Sequence, residues 1–208
     1  MNKIKFTLIT TTISQNKINQ IINILKLENN SSVLAKLNSK NITTYVNRVI
    51  ESNQLKLYLA INGKKVVGYA IVAGKPKYLT SNFKDFKYNF IFDLLVNFNF
   101  STIINLIIFS TGIENLFISN KEKKILQNSV NLNLLAIDRS FQSQGLGKKF
   151  MNYIIDDLKF NIKNKDLTCE TDNNRSKKFY IKKIKFKEIG KKVRFPFFTT
   201  VLIRKLNS

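Results

Sequence analysis

Histidine and tryptophan are missing from the chain, and cysteine occurs once, as Cys169. A lone cysteine excludes an internal disulfide framework, and without histidine beside it the usual zinc ligand sets are excluded too, so no metal is expected. Histidine general bases and Ser-His or Cys-His nucleophile pairs are ruled out by the same absence. Acidic residues are scarce: 13 Asp plus Glu stand against 35 Lys plus Arg, leaving a formal charge of +22 over 208 residues. Glycines number only seven, so any two that fall close together carry information. The N-terminal MNKIKFTLITTT has one short apolar run with no small-residue cleavage pattern after it, which makes the cytoplasm the expected compartment.

A basic surface attracts phosphate whatever the sequence, but this excess is not a nucleic-acid signature. Only five of the cations are arginine (Arg48, Arg139, Arg175, Arg194 and Arg204), and the lysines are spread along the chain. Lysine, asparagine and isoleucine, all abundant here, share A/T-rich codons, so compositional drift explains the charge at least as well as selection for a polyanion does. No specific nucleic-acid partner is expected.

Apolar periodicity organises the rest. Lys5 to Thr11 reads as a strand; Ile18, Ile21, Ile22 and Leu25 recur at helical spacing, as do Ile42, Tyr45, Val46 and Val49. Leu55 to Gly74 contains two β-rich runs joined through Asn62-Gly63, a pair that tolerates a tight hairpin turn. From Lys75 to Val130 the character changes. A membrane span needs about 20 predominantly apolar residues, and Asp93, Asn97, Asn99 and Asn105 interrupt the run here. One or two helices laid on the domain are expected, with a membrane-surface or partner-docking insertion as the lesser reading. Leu132 to Asp138 then reads as a strand, and Leu146, Phe150, Ile154 and Leu158 as one face of a helix. Asp166 to Thr171 is a strand, Asn173 to Lys183 a helix, and two final strands end the chain. Alternating strands and helices imply an α/β domain with a mixed sheet.

The chemistry centres on FQSQGLGKKF, Phe141 to Phe150, where a strand runs through Gly145 and Gly147 into a helix. Free N–H groups and the positive end of a helix dipole make that geometry an anion site. The dinucleotide pattern G-x-G-x-x-G fails because Phe150 occupies the third glycine position, and the P-loop pattern fails as well. Gln142-Ser143-Gln144-Gly145-Leu146-Gly147 does fit the [Q/R]-x-x-G-x-[G/A] signature of the GNAT superfamily of acyl-CoA-dependent N-acetyltransferases. LLAIDRSF before it resembles that family's fourth strand, and LTCETDNNRSKKFYIKKIKFKEIG after it resembles the next strand and helix. The Asn62-Gly63 hairpin stands where the family turns between its second and third strands. One departure is that the family often has Gly-Phe four and five residues after its Tyr, where this chain has Ile184 and Lys185, with Phe186 one further on.

The resemblance implies a single acetyltransferase domain over residues 1–208. Its fold would be a mixed, mostly antiparallel central sheet flanked by helices, with a helical insertion over 75–130 between the third and fourth strands. It implies acetyl-CoA as donor, with the pyrophosphate held by backbone amides of Gln142, Ser143, Gln144, Gly145, Leu146, Gly147 and Lys148. The pantetheine arm would pair with Leu135, Ala136 and Ile137, and Asn173 would contact the arm or cap the helix after it. Tyr180 is implied as general acid for the departing thiolate. Among the carboxylates Glu170, Asp138 and Glu114, Glu170 is the first candidate for base; a surface carboxylate paired with nearby lysine is its other reading. The implied reaction is acetyl transfer to a primary amine on a small molecule, an activated amino sugar or a protein N-terminus, by direct attack in a ternary complex. The competing reading is a non-catalytic protein of the same fold that docks to nucleic acid or a membrane surface. Cys169 is expected to be a buried strand residue.

Overall fold

The structure, a computed structural model, describes residues 3–76, 78, 100–162 and 166–206. Seven strands form one sheet in the order β1-β2-β3-β4-β5-β7-β6. β1 is Ile4–Ile9, β2 Leu55–Asn62, β3 Lys65–Ala73, β4 Val130–Ile137, β5 Asp166–Thr171, β6 Lys187–Arg194 and β7 Phe197–Lys205. Neighbours are antiparallel except β4 and β5, which are parallel. The expected mixed, mostly antiparallel sheet is therefore present. The β2–β3 hairpin turns where expected, with Gly63 at φ +60.

Two helices, α1 (Gln15–Glu28) and α2 (Ser39–Glu51), cover one face. The residues that set their expected periodicity, from Ile18 to Val49, are buried against Leu57, Leu59, Tyr69 and Ile71. The other face carries α5 (Leu146–Asn161), which buries Leu146, Phe150, Ile154 and Leu158 on Tyr58, Val67, Leu132 and Leu202. Side chains alternate along a strand, so each face of β2 and β3 feeds a separate core. β4 departs from that alternation. Ile71 pairs with Leu134 but Val72 with Leu132, so Asn133 is an extra residue. The bulge turns Leu134 and Ala136 toward α1 and α2, whereas Leu132 belongs to the core under α5.

Of the 75–130 segment, α3 (Phe100–Ser110), a short turn Ile113–Asn115 and α4 (Asn120–Asn128) are described. Ser119 and Glu122 cap α4 reciprocally: Glu122 N–H donates to Ser119 Oγ (3.3 Å) and Ser119 N–H to the Glu122 carboxylate (2.8 Å). The segment is fastened to the far edge of the sheet. Asn105 exchanges two hydrogen bonds with the Phe195 backbone, at 2.7 and 2.9 Å. A Cβ on Gly190 of β6 would lie 2.6 Å from Ile118 Cδ1, so a side chain there would have to displace Ile118 from this position. Asp93, Asn97 and Asn99 lie outside the described residues, and among those described no helix is long and apolar enough to cross a membrane.

α6 (Asn174–Lys178) continues into a π turn, Phe179–Lys183. A π turn accommodates one residue more than an α turn, and this accounts for the displaced Gly-Phe pair. The chain leaves the helix through Lys185 at φ +66, with Phe186 N–H donating to the Tyr180 carbonyl at 3.1 Å. Lys185 thus does what a glycine usually does at a helix end. Lys185 is exposed, so Lys185→Gly is expected to add about 0.5–1 kcal/mol by removing the Cβ penalty. A higher urea midpoint with an unchanged slope would register it.

Candidate active site

β4 and β5 stay together for three residue pairs only: Val130 with Leu167, Asn131 with Thr168, and Leu132 with Cys169. Beyond Leu132 the strands part and leave a fork. Asp138 N–H donates to the Val67 carbonyl of β3 (2.9 Å), which fixes the phase of the β3–β4 ladder. Antiparallel pairs alternate between bonded and non-bonded, so Ala136 and Leu134 direct their amides to β3. Leu135 N–H and C=O, and Ile137 N–H, face the open side. Of the three residues expected to meet an extended ligand, Leu135 and Ile137 present peptide groups to the gap, while Ala136 spends its own within the sheet.

At the tip of the fork the chain turns through Ser143 (φ +62) and Gly145 (φ +77) into α5. Gly145 is the N-cap, no side chain caps the helix, and the first turn closes with Lys149 N–H on the Gly145 carbonyl at 3.2 Å. The Leu146, Gly147 and Lys148 amides therefore start the helix without intrahelical acceptors. A Cβ on Gly147 would meet the Phe179 ring at 3.5 Å, an ordinary packing distance. Gln142 looks inward. Its amide Nε2 donates to the Ile137 carbonyl and to Glu28 Oε2, each at 2.8 Å, and its N–H goes to the Arg139 carbonyl (3.2 Å). Gln144 Nε2 donates to the Ser140 carbonyl at 3.1 Å. Gln142 is thus a strut between β4, the end of α1 and the loop.

Tyr180 lies at the base of the fork, in the α5-side core with Cys169. Phe179 and Phe186 meet its ring edge to face, with centroids 5.3 and 5.4 Å away. Burial raises its hydroxyl well above the ordinary tyrosine range, and the neighbouring Cys169 adds to the shift. The phenol therefore keeps its proton at neutral pH. Burial, with Glu170 nearby, likewise holds Cys169 as an unreactive thiol. Asn173 caps α6, accepting from Arg175 N–H (2.8 Å) and Ser176 N–H (3.2 Å). Arg175 Nη2 is 3.5 Å from Ser143 Oγ, which brings a guanidinium to the glycine turn.

Glu170 follows Cys169, so its side chain points to the opposite face of β5. There it belongs to a four-membered ion cluster. Lys192 Nζ is 2.7 Å from Glu170 Oε1 and 3.8 Å from Glu114 Oε1, and Arg194 pairs with Glu170 (3.2 Å) and with the buried Glu114. Burial pushes the Glu170 carboxyl up, but the charges of Lys192 and Arg194 and their hydrogen bonds outweigh it, leaving the carboxyl below its ordinary range. Asp138, the third carboxylate considered, is a turn residue. It accepts from Ser140 N–H (3.0 Å) and Oγ (2.6 Å) and pairs with Lys65 at 2.8 Å. Burial opposes ionisation there as well, and Lys65 and Ser140 outweigh it, so this carboxyl is also lowered.

Both lowered carboxyls bind fewer protons folded than unfolded. Their contribution is present above the unfolded carboxyl range and is lost as pH falls through the folded values. The melting temperature is expected to hold from pH 7 to about 5 and to drop below about 4, and Glu170→Gln should flatten the drop in a thermal-melt series.

Sequence reading missed Glu28, Arg175, Lys192 and Arg194. Lys192 and Arg194 did leave a signal: they alternate on a strand, which puts both cations on one face. Glu28 left none, because its partner Gln142 is 114 residues away.

Residues 117–205 match the family described as acetyltransferase (GNAT) domain. No curated protein matches the sequence. Among solved structures, arylalkylamine N-acetyltransferase 2 from Aedes aegypti superimposes with a TM-score of 0.61 at 15% identity, covering 99% of this chain and 100% of that one. A GNAT-family protein from Desulfovibrio desulfuricans gives 0.60 at 10% identity, covering 98% and 99%. The ribosomal-protein-S18-alanine N-acetyltransferase from Escherichia coli gives 0.53 at 11% identity, covering 98% and 96%. At these identities the superpositions establish the fold.

Proposed function

From a chain with the GNAT fold whose residues 117–205 match the GNAT acetyltransferase domain, we propose an N-acetyltransferase that moves the acetyl group of acetyl-CoA to a primary amine. The observation that carries the proposal is the fork: Leu135 and Ile137 amides on one arm face the gap, and the same strand leads through the turn at residues 138–145 into the uncapped N-terminus of α5. An extended pantetheine amide chain suits the first and a pyrophosphate the second. The amides of Ser143 to Lys148 supply the anion cradle, Arg175 adds charge beside it, and Gln142 holds the loop in place. We take residues 1–208 as one acetyltransferase domain, 75–130 as its insertion, and the cytoplasm as its compartment.

Tyr180 and Glu170 lie on opposite faces of β5 next to the gap. This suits direct transfer in a ternary complex, with the thiolate leaving beside an acid on one side and the amine entering from the other. Tyr180, kept protonated by burial, gives its proton to the departing sulfur as the new amide forms. A Leu135 or Ile137 amide polarises the thioester carbonyl. Glu170 stays ionised and is matched by Lys192 and Arg194, which makes it a weak base, so the proton the ammonium loses before attack passes through water to solvent. The second proton, lost from nitrogen as the amide forms, returns through water to the Tyr180 phenolate. Two structural neighbours are named for acetylating an arylalkylamine and an alanine of ribosomal protein S18, and we propose a primary amine as the acceptor here.

The first test is calorimetric. A ligand bound only by the folded chain stabilises it by about 2.7 kcal/mol at a hundredfold excess over its dissociation constant, so millimolar CoA is expected to raise the melting temperature by several degrees. A flat response would overturn the donor assignment and leave a non-catalytic protein of this fold. With CoA binding established, an acetylation screen over arylalkylamines, amino sugars and peptide N-termini would identify the acceptor.

A further inference from the structure

α3 reads FSTIINLIIFS, without a charged residue over its 11 positions. Seven of its residues are Phe, Ile or Leu, a proportion usual for a helix inside a protein, yet none of its described side chains is buried, and Phe100 is 71% exposed. The apolar surface continues beyond it. Leu116 is 68% and Phe117 61% exposed, and Phe117 meets Phe198 of β7, itself 52% exposed, edge to face at 5.6 Å. Phe195, held to α3 through Asn105, is exposed beside them. Single exposed apolar residues are ordinary, whereas a contiguous group of large ones marks an interface.

We propose that this surface docks on an anionic lipid membrane. Three observations select that partner. Among the described residues the patch offers Phe, Ile and Leu, while the nearby carboxylates are engaged: Glu114 is buried and paired with Arg194, and Glu122 is bonded to the Ser119 cap. Exposed Lys121 and Lys124 of α4 follow within seven residues of Phe117. The whole chain carries +22, so a second copy is repelled while anionic headgroups are attracted. Nucleic acid would meet the charge but offers no apolar phase for the Phe side chains. Interfacial binding draws on both parts, apolar side chains at the headgroup boundary and cations above it. This inference is independent of the acetyl-transfer reading.

Co-sedimentation with phosphatidylcholine vesicles, with and without phosphatidylglycerol, tests it. The protein is expected to partition onto the phosphatidylglycerol vesicles, and the double variant Phe117→Ser, Phe198→Ser to lose at least about tenfold of that binding. Phe160→Ser on α5, 86% exposed, is the control for general loss of surface apolarity and should bind as the parent does. Equal binding by parent and double variant would reduce the interaction to charge alone and overturn the proposal. So would absence of binding, a dimer in sedimentation velocity that the double variant abolishes, or tighter binding to duplex DNA lost in the same variant.

Discussion

Tyr180→Phe is expected to lower turnover about a hundredfold, the usual share of a general acid, while CoA affinity stays within about twofold. The substitution removes one oxygen and leaves the ring where it is. The edge-to-face contacts with Phe179 and Phe186 survive, and no other residue among those described hydrogen-bonds the hydroxyl. Stability should therefore change little, which separates a chemical effect from a packing effect. A hundredfold loss corresponds to about 2.7 kcal/mol of transition-state stabilisation. Single-turnover acetylation with CoA binding measured in parallel decides the matter, and unchanged turnover would remove Tyr180 from the chemistry.

Arg194→Met is expected to cost about 3 kcal/mol of folding stability, read as a large fall in the urea midpoint. The Glu114 side chain is only 7% exposed, and Arg194 is one of its two cations. Removing it leaves a buried carboxylate with the more distant Lys192 and the Asn115 amide. The double variant Glu114→Gln, Arg194→Met tests the cause: it should regain much of the loss, because a neutral pair is cheaper to bury than an unmatched charge. If the double variant is as unstable as the single, the guanidinium acts through packing.

Legibility from sequence followed the range of the physics involved. The β2–β3 hairpin was readable because Asn62-Gly63 sets a turn by local dihedral preference. The buried face of α5 was readable because helical period alone places Leu146, Phe150, Ile154 and Leu158 together. The glycine turn was readable as a helix entry once its flanking strand and helix were in view, and Gly145 is the N-cap of α5. The Asn133 bulge was hidden, since register is settled by the partner strand and by two cores competing for Leu132 and Leu134. The π turn showed only as a one-residue displacement of Phe186 from the familiar spacing. The surroundings of Glu170 were hidden for another reason: its cluster also takes in Glu114, which lies 80 residues from Arg194, the cation that joins the two carboxylates.

The fork at Leu132 and Cys169 also bears on how the sheet holds together. β1 to β4 form one wing and β5 to β7 another, and the ladder between the wings is three rungs long, all at one end. Across the fork the wings are joined by that short ladder and by the core they share under α5, where Leu132 of β4, Cys169 of β5 and Leu202 of β7 meet. An extended chain lying in the gap would therefore supply the backbone rungs that the sheet lacks there.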